Sequence, residues 1–358
     1  MSENQTVIIH EPATVATLKS LYNMNQINTE GFDYEDWDFV DFLVEDEMYV
    51  HRLNWDFSVA GQVKAQDGRL EALNGVLIGL DLADCLVGDL GPLVGLTKLT
   101  SLDLSYNDIC DLTPLAKLTE LENLDLGWNR INDLTPLAGL TKLTSLDLHE
   151  NATLAENRNF SPLANLRELR SLNLEYTGAS DLSPLAGLTK LRGLRAGLNG
   201  VSDLTFLAGL MELRNLNLGT MGGGKVKNLS PLAGLKKLEV LALDWNRVGD
   251  LSPLAGSTEL RILCLAGNKI SDLTPLAGLM NLEYLDLAKN NINDLTPLAG
   301  LMNLKYLDLA RNEISELTPL AGLMKLRKLK LIGNKVKDLA PLAGLTELES
   351  FDLKGDRF

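Results

Sequence analysis

Cysteine and histidine are scarce in this chain of 358 residues, and each shortage excludes a class of protein. Three widely spaced cysteines cannot staple a disulfide-rich secreted fold, and they lack the paired spacing of a zinc site. The three histidines, His10, His51 and His149, stand in no motif that would orient a serine or cysteine nucleophile. The sequence therefore predicts no catalytic residue, no metal site and no cofactor, and we expect a protein that is not an enzyme.

Positive charge is also scarce, with 33 lysines and arginines against 48 aspartates and glutamates and a formal net charge of -15. Nucleic acid and anionic membranes are both bound through concentrated basic surfaces, so neither is an expected partner. Uncharged stretches such as Leu273 to Leu282 are too short to span a bilayer. Met1 to Glu3 begin the chain without the basic and apolar segments of a signal peptide, so we expect a cytoplasmic protein.

The amino-terminal region differs in composition from the rest of the chain. Residues 1–60 contain twelve acidic residues against two basic ones, together with nine of the nineteen aromatic residues. Apolar periodicity predicts two helices there, from Ala13 to Met24 and, acidic and amphipathic, from Tyr34 to Glu47. We therefore divide the chain into region 1–69, interpreted as an enlarged cap or a separate recognition module, and region 70–358.

The second region is built from an internal repeat of 22 residues. The pattern LxxLxLxxNxIxDLxPL begins at Leu99 and returns one period later, and its register runs from Leu77 to Leu348. Eleven of the twelve prolines occupy one position of the repeat. Insertions near 152–159 and 221–227 interrupt the register, so the sequence predicts about twelve repeats and a partial one at the end.

Each position of the repeat has a physical reason. Leu102 and Leu104 alternate with polar residues, which predicts a short strand that points its leucines inward. Asn107 ends that strand, and its amide can satisfy backbone groups left open by the turn, so stacked repeats would form an asparagine ladder. Asp111 can cap the amides of the next tight turn, whose φ angle Pro114 presets. Asn159, Asn228 and Glu316 replace this aspartate in other repeats.

The segment from Leu282 to Asn290 reads LEYLDLAKN and matches the LxxLxLxxN signature of leucine-rich repeats. With its 22-residue period and DLTPLAGL segments, the chain resembles the internalin-like subclass, which is also similar to the repeats of a eukaryotic phosphatase-regulating protein. The resemblance implies an α/β fold, a right-handed solenoid curved like a horseshoe, with a parallel β-sheet on the concave face and 3₁₀ turns on the convex face. Upstream, Asn74-Gly75 predicts a hairpin, so the cap would combine helices and a hairpin.

A solenoid binds through the residues that vary on its repeated framework. Exposed tyrosine and tryptophan are favoured interface anchors, because they bury a large area at a small cost in side-chain entropy. Arginines also recur once per repeat in the centre of the array, and they could receive a partner's carboxylates. The aspartates that recur once per repeat are interpreted as repeat consensus rather than as a cation site. The predicted partner-binding residues are Tyr106, Trp128, His149, Glu150, Arg170, Tyr176, Arg192, Arg195, Arg214, Trp245, Tyr284 and Tyr306.

These observations favour a monomeric, non-enzymatic scaffold that binds a partner protein on its concave face, in line with what the resemblance implies. Two alternatives stay open. One is an inhibitor or regulator, of the immunity or phosphatase-regulator type, that blocks a basic enzyme or toxin and is steered toward it by the acidic segment from Asp33 to Glu47. The other is a secreted adhesin or effector exported without a signal peptide, for which the polar residues Ser2 to Thr6 would act as an unstructured secretion tag.

Overall fold

The computed structural model describes residues 55–56, 64–65, 70–73 and 76–352 of the chain. Within them lie sixteen strands, numbered in chain order, twelve 3₁₀ helices and one short α-helix, α1 (Leu154–Asn157). The strands are β1 (Trp55–Asp56), β2 (Lys64–Ala65), β3 (Leu70–Leu73), β4 (Val76–Asp81), β5 (Ser101–Asp103), β6 (Asn123–Asp125), β7 (Ser145–Asp147), β8 (Ser171–Asn173), β9 (Gly193–Arg195), β10 (Asn215–Asn217), β11 (Val240–Ala242), β12 (Ile262–Cys264), β13 (Tyr284–Asp286), β14 (Tyr306–Asp308), β15 (Lys328–Lys330) and β16 (Ser350–Asp352).

One 3₁₀ helix follows each strand from β4 to β15, so strands and 3₁₀ helices alternate along the repeats. The two helices predicted in region 1–69 lie outside the described residues, and the boundary between the two regions stays a prediction. The 3₁₀ helices are Gly91–Gly95, Thr113–Lys117, Thr135–Gly139, Ser161–Asn165, Ser183–Gly187, Thr205–Gly209, Ser230–Leu232, Ser252–Leu254, Thr274–Leu276, Thr296–Leu298, Thr318–Leu320 and Ala340–Leu342.

Strands β3 to β16 form one sheet in which neighbours in the chain are neighbours in space. From β4 onward every pairing is parallel and joins equivalent positions of successive repeats, as Leu102 of β5 opposite Leu124 of β6 shows. Strand β3 is antiparallel to β4, with Leu73 opposite Val76, which confirms the predicted hairpin at the amino-terminal edge of the sheet. Strands β1 and β2 form a separate antiparallel pair.

A single apolar core runs along the repeats from Leu77 to Leu345. From β5 to β15 each strand has three residues, of which the central leucine is buried. The leucine that follows the strand, such as Leu104, is buried as well, and so is the leucine inside each 3₁₀ helix, such as Leu115. Burying one leucine side chain contributes about 2 kcal/mol, and no single repeat can bury its own set. The predicted leucine-rich-repeat solenoid is confirmed.

The predicted asparagine ladder is also confirmed. Asn129 shows the full set of bonds: its Nδ2 donates to the carbonyls of Leu104 and Leu126 at 2.9 and 3.1 Å, and its Oδ1 accepts the amide of Ile109 at 2.9 Å. These bonds satisfy backbone groups of two repeats at once, which explains why a buried polar side chain is tolerated there. Where threonine replaces asparagine, the buried Thr177 hydroxyl donates to the Leu174 carbonyl at 2.7 Å.

The predicted capping aspartate closes the turn before most of the 3₁₀ helices. The Oδ1 of Asp111 accepts the amide of Thr113 at 2.8 Å, and Pro114 follows in the first turn of the helix. Asn159 and Asn228 accept the equivalent amides, as expected. The prediction is wrong for Glu316, which makes no such bond in the described structure. A glutamate carries its carboxylate one methylene further out, beyond the amide two residues along.

Candidate interaction surface on the sheet face

The candidate surface is the sheet face, defined as the side chains of the residues directly before and directly after the buried leucine in each strand. In β5 these are Ser101 and Asp103. The surface continues past the strands into a turn column, made of the residue three positions after the last residue of each strand from β4 to β15 except β10, where Thr220 lacks the positive φ of the others. The turn column contains Asp84, Tyr106, Trp128, Glu150, Tyr176, Leu198, Trp245, Gly267, Lys289, Arg311 and Gly333, all with positive φ.

The turn column holds large aromatic side chains in a backbone conformation that suits glycine. Its non-glycine residues have φ between 53° and 57°, in the left-handed region that L-residues rarely adopt. Gly267 and Gly333 occupy the same column with φ of 67° and 74°. A bulky residue held in this region costs on the order of 1 kcal/mol. The exposed aromatic residues of the column are Tyr106, Trp128, Tyr176 and Trp245, between 36% and 47% exposed.

An unbroken set of contacts joins four side chains of β7 and the neighbouring turns. The rings of Tyr106 and Trp128 stack with centroids 5.4 Å apart, and Trp128 meets His149 edge-on at 6.3 Å. The Nδ1 of His149 lies 2.7 Å from the Oδ1 of Asp147 in a hydrogen bond. Gly127 makes room for the imidazole, because a β-carbon at that position would collide with it. The structure thus brings three predicted site residues, Tyr106, Trp128 and His149, into one cluster.

Two carboxyl groups beneath this cluster have opposite pKa shifts. Burial and the charge of Asp147 raise the pKa of Asp125 to about 7. Burial also acts on Asp147, but the hydrogen bond and the charge of His149 outweigh it and hold the pKa of Asp147 below its ordinary value. Burial opposes protonation of His149, yet its pairing with Asp147 raises the pKa of the imidazole. Near neutral pH, Asp125 is therefore a carboxyl group that an added cation would ionise.

Asp125, Asp147 and His149 are the one group in residues 76–352 whose potential metal-ligand atoms lie within 4.8 Å of one another. The separation of 2.7 Å between the Nδ1 of His149 and the Oδ1 of Asp147 is shorter than two ligands keep around a common ion, about 3.3 Å for a tetrahedral zinc site. That contact is a hydrogen-bonded pair rather than two metal ligands. The cluster is better described as an ion pair beside a carboxyl group with a raised pKa.

The acidic half of the sheet face comprises strands β4 to β8 with their following turns. Apart from His149, its titratable side chains on the face and in the turn column are acidic, with no lysine or arginine among them. Burial raises the pKa of Glu150 as well. The carboxylates of the acidic half are Asp81, Asp84, Asp103, Asp125, Asp147, Glu150 and Glu175.

The balanced half comprises strands β11 to β15 with their following turns, and here the chain supplies its own cations. The Nζ of Lys289 lies 4.0 Å from the centre of the Trp245 ring, and Gly267 between them in the turn column leaves the space free. Tyr284 and Tyr306, both predicted site residues, stack at 4.2 Å. The charged side chains of this half are Asp244, Asp286 and Asp308 against Lys289, Arg311, Lys328 and Lys330.

Lys330 is the second internal cation of the balanced half. Its Nζ lies 5.5 Å from the centre of the Tyr306 ring and 3.3 Å from the Oδ2 of Asp308. The hydrogen bond to Tyr306 comes first among the causes that raise the pKa of the Lys330 ammonium, so it stays charged at neutral pH. Trp245, Tyr306 and Asp308 therefore each have a lysine of the chain beside them, whereas burial raises the pKa of Asp286 to about 7.

The predicted arginines do not converge with the aromatic residues. Arg170, Arg192 and Arg214 come directly before β8, β9 and β10. They therefore lie at the opposite end of the strands from the turn column. They follow one another in successive repeats, and the Arg192 amide donates to the Arg170 carbonyl at 2.8 Å. Arg214 forms an ion pair with Glu239. Of the four, Arg195 projects from the sheet face itself and is exposed, between the acidic and balanced halves.

Three residues that shape the candidate surface are not among the predicted site residues: Asp125, Lys289 and Lys330. Asp125 was interpreted as repeat consensus, and only its burial beside Asp147 distinguishes it. A signal for Lys289 existed, because it shares the turn column with Trp245 and is separated from it by a glycine repeat position. Lys330 follows Asp308 by one repeat period, which places the two side by side on parallel strands.

A family model for leucine-rich repeats in two copies matches residues 76–117, 258–300, 281–322 and 303–344. No protein of curated function matches the chain. In the part of the chain that the structure describes, no helix has the length and apolar character needed to cross a membrane.

Comparison with solved structures supplies closer relatives. An internalin from Listeria monocytogenes has 33% sequence identity and a TM-score of 0.74, over 78% of this chain and 81% of that one. A leucine-rich-repeat protein from Leptospira interrogans has 25% identity and a TM-score of 0.64, over 78% and 79%. The ectodomain of a receptor kinase from Arabidopsis thaliana, in complex with a Casparian strip integrity factor, shares the fold at 19% identity and a TM-score of 0.53, over 74% and 39%. The chain therefore belongs to the internalin-like family of leucine-rich-repeat proteins.

Proposed function

We propose that the protein is a non-enzymatic scaffold that binds a partner protein on its sheet face. The observation that carries this proposal is the set of exposed aromatic side chains held on left-handed turns, exemplified by Trp128 at 44% exposure and φ of 53°. Such residues contribute little to the core, and glycine would adopt the left-handed backbone at a lower cost in free energy. At an interface, however, they supply a large contact area. The arrangement favours binding over folding as their role.

Relatives and cysteine chemistry support the same proposal. The Arabidopsis receptor ectodomain, which shares the fold, is in complex with another factor. Burial raises the pKa of the Cys264 thiol on the sheet face, so this cysteine lacks the thiolate that a nucleophile requires. The cytoplasmic location and the monomeric state stay predictions.

The regulator alternative has one specific observation in its favour. The acidic half of the sheet face carries seven carboxylates without a lysine or arginine, as the residues named above show. An acidic surface of this kind attracts and orients a basic protein, so a basic enzyme or toxin would be steered toward it. In this alternative the same sheet face binds, and the consequence for the partner is inhibition.

The scaffold proposal is tested by mapping the contact to one side of the solenoid. A photo-crosslinking amino acid is placed at Ser171, exposed on β8, and in a matched variant at Ala186, exposed on the 3₁₀ helix that follows. The variants are incubated with native lysate and irradiated, and crosslinked proteins are identified by mass spectrometry. We expect one protein to crosslink from position 171 and not from position 186.

A crosslink obtained only from position 186 would place the interaction on the 3₁₀ side and contradict the proposal. The arginine prediction is tested in the same assay with a triple variant that combines Arg192→Glu, Arg195→Glu and Arg214→Glu. If these arginines bind the partner, the triple variant loses partner capture. Arg192 and Arg214 lie just before the first residue of their strands. The single variant Arg195→Glu therefore measures the contribution of the one arginine that projects from the sheet face. Undiminished capture by the triple variant would remove the arginines from the site.

A further inference from the structure

We propose that the acidic half of the sheet face receives arginine or lysine side chains from a basic segment of the partner, with the stacked rings of Tyr106 and Trp128 as the aromatic wall over which a cation lies. This inference rests on the proposed function and deepens it, because it names the chemistry of the bound segment. Three observations carry it: the charge of the two halves, the cation–aromatic contact that the chain makes elsewhere, and the surroundings of Trp128.

The charge of the acidic half is not balanced within the face. Asp103, Asp125 and Asp147 lie opposite one another on β5, β6 and β7, at the separation of about 4.8 Å between adjacent strands. Among the described residues, His149 alone offers a positive charge beside them, through its pair with Asp147. Like charges at this spacing repel, and a cation from outside would relieve the repulsion. The balanced half already holds Lys330 beside Asp308 and Lys289 over Trp245, so it would gain less from such a cation.

The balanced half shows how this fold seats a cation on an aromatic ring. The Nζ of Lys289 lies 4.0 Å from the centre of the Trp245 ring, and both residues belong to the turn column. An ammonium or guanidinium over the face of tryptophan is attracted by the ring quadrupole, by about 0.5–2 kcal/mol depending on solvation. Trp128 occupies the same column on the same left-handed backbone, so its ring is presented by equivalent geometry.

The surroundings of Trp128 lack the internal cation that Trp245 has. Within the described residues, the cation–aromatic contacts are those at Trp245 and Tyr306, and the ring contacts of Trp128 are with Tyr106 and His149. The nearest arginine in sequence, Arg130, forms an ion pair with Asp108 at 2.7 Å. No cation from residues 76–352 therefore lies over the ring of Trp128, which is 44% exposed.

Arginine suits the site better than lysine. Its planar guanidinium can stack on an aromatic ring while its N–H groups donate to carboxylates, whereas an ammonium is a strongly hydrated point charge. Trp128 has Glu150 as its neighbour in the turn column, and Asp125 ends the strand that leads into it. An acidic partner would instead be repelled from this half, since the exposed arginines that could hold it lie at the far edge of the strands.

Binding to this site should weaken as the pH falls below about 7. The groups that face the site are Asp103, Asp125, Asp147, His149 and Glu150. Asp125 takes up its proton near pH 7, and burial raises the pKa of Glu150, so acidification removes negative charge from the site. The pKa of His149 is raised, so its protonation at lower pH adds positive charge and acts in the same direction.

The test uses two eight-residue peptides, one with alternating arginine and serine and one with glutamate in place of arginine. Binding to the full chain is measured by isothermal titration calorimetry at low and at physiological salt. The face variant Asp103→Asn/Asp125→Asn is compared with the control variant Glu259→Gln/Glu349→Gln, which makes the same charge change at exposed residues outside the acidic half. Asparagine fits the strand position, because Asn173 accepts the Glu175 amide there at 3.1 Å.

We expect the arginine peptide to bind and the glutamate peptide not to bind. The face variant should bind the arginine peptide roughly tenfold more weakly than the unaltered chain, and the control variant should change affinity by less than about twofold. Trp128→Gly, which matches the glycines found elsewhere in the turn column, should weaken binding by roughly fivefold without removing a charge.

Equal loss of affinity in the face and control variants would overturn the proposal, because it would show a general attraction to an acidic chain. The proposal would also be overturned if the face variant and Trp128→Gly both bound the arginine peptide as tightly as the unaltered chain does. It would be overturned as well if the unaltered chain did not bind that peptide. None of these results bears on the crosslinking experiment. A crosslink from position 171 together with a failed peptide test would retain the scaffold and reject the basic segment.

Discussion

Trp128 and Trp245 occupy the same column of the solenoid on the same left-handed backbone, yet their surroundings differ. Trp245 lies 4.0 Å beneath the Nζ of Lys289, across a glycine, whereas Trp128 stacks on Tyr106 and meets His149 edge-on. Within residues 76–352, no lysine or arginine lies on the face beside Asp103, Asp125 or Asp147, whereas the balanced half pairs Lys330 with Asp308. A repeated framework can therefore present one surface that is satisfied internally and another that still attracts a cation.

The difference arises because the framework and the face are specified by different residues. The buried strand leucines are the same in both halves, as the parallel pairing of Leu124 with Leu146 and of Leu285 with Leu307 shows. The asparagine ladder also runs through both, with Cys85 and Thr177 in place of asparagine at the two ends of the acidic half. The side chains on the face make few contacts with the core, so they can change without altering the backbone. Whether a charged side chain on the face is paired then depends on which residue the next repeat places beside it.

The largest expected effect tests whether the two halves share one core. Leu124→Ala in the acidic half and Leu285→Ala in the balanced half each remove a leucine that is at most 2% exposed. We expect each to lower the free energy of unfolding by about 3 kcal/mol, because the cavity cannot collapse between stacked repeats. Urea denaturation followed by circular dichroism measures both. A cost confined to one variant would show that the halves do not have equivalent cores.

A second comparison concerns two buried aspartates, Asp125 and Asp286. Burial comes first among the causes that raise the pKa of each carboxyl group from 3.8 to about 7. Between these pH values the folded state holds a proton that the unfolded state has lost, so stability falls as the pH rises through this window. Asp125→Asn and Asp286→Asn should each remove the fall and stabilise the protein at pH 8 by about 1–3 kcal/mol.

Thermal unfolding between pH 3 and pH 8 measures this effect. The difference between variant and unaltered protein should be small below pH 4, grow up to about pH 7 and then stay constant. A variant that is less stable than the unaltered protein at pH 8 would show that the carboxylate is favourably paired in the folded state, and the sign of the argument would be wrong.

A third prediction concerns the conversion of the balanced half into a second cation site. Lys289→Ala removes the ammonium from the Trp245 ring and should strengthen binding of the arginine peptide about twofold to threefold. The matched control is Lys269→Ala, which removes an exposed lysine outside the sheet face. Calorimetric titration of both variants measures the difference. Equal gains in the two variants would assign the effect to net charge alone.

The smallest expected effect concerns the aromatic residues of the turn column. Trp128→Gly and Trp245→Gly should each change the free energy of unfolding by less than about 1 kcal/mol, because relief of the left-handed conformation offsets the lost contacts. Thermal unfolding at neutral pH provides the measurement. A loss of several kcal/mol would show that these rings support the fold, and the inference from their exposure to binding would then be wrong.

Most of the framework was predictable because it repeats. The leucine spacing, Asn107 and Asp111 each carry a local physical requirement, and twelve copies leave one register. The prediction fails at Glu316, because glutamate, although chemically similar to aspartate, does not accept the amide two residues along. It also grouped Arg170, Arg192 and Arg214 with the aromatic residues, although three strand residues separate the two edges. Sequence spacing shows which side chains recur together, but not which edge of a strand they occupy.

By itself, the sequence determined the solenoid, its parallel strand order and the hairpin that begins it, because period, alternation and turn residues act locally and agree with one another. Only the tertiary structure decided the state of the sheet face. The raised pKa of Asp125 and the contact of Lys289 with Trp245 both depend on distances between residues of different repeats. Those distances arise from the stacking of neighbouring repeats, which no single 22-residue unit contains.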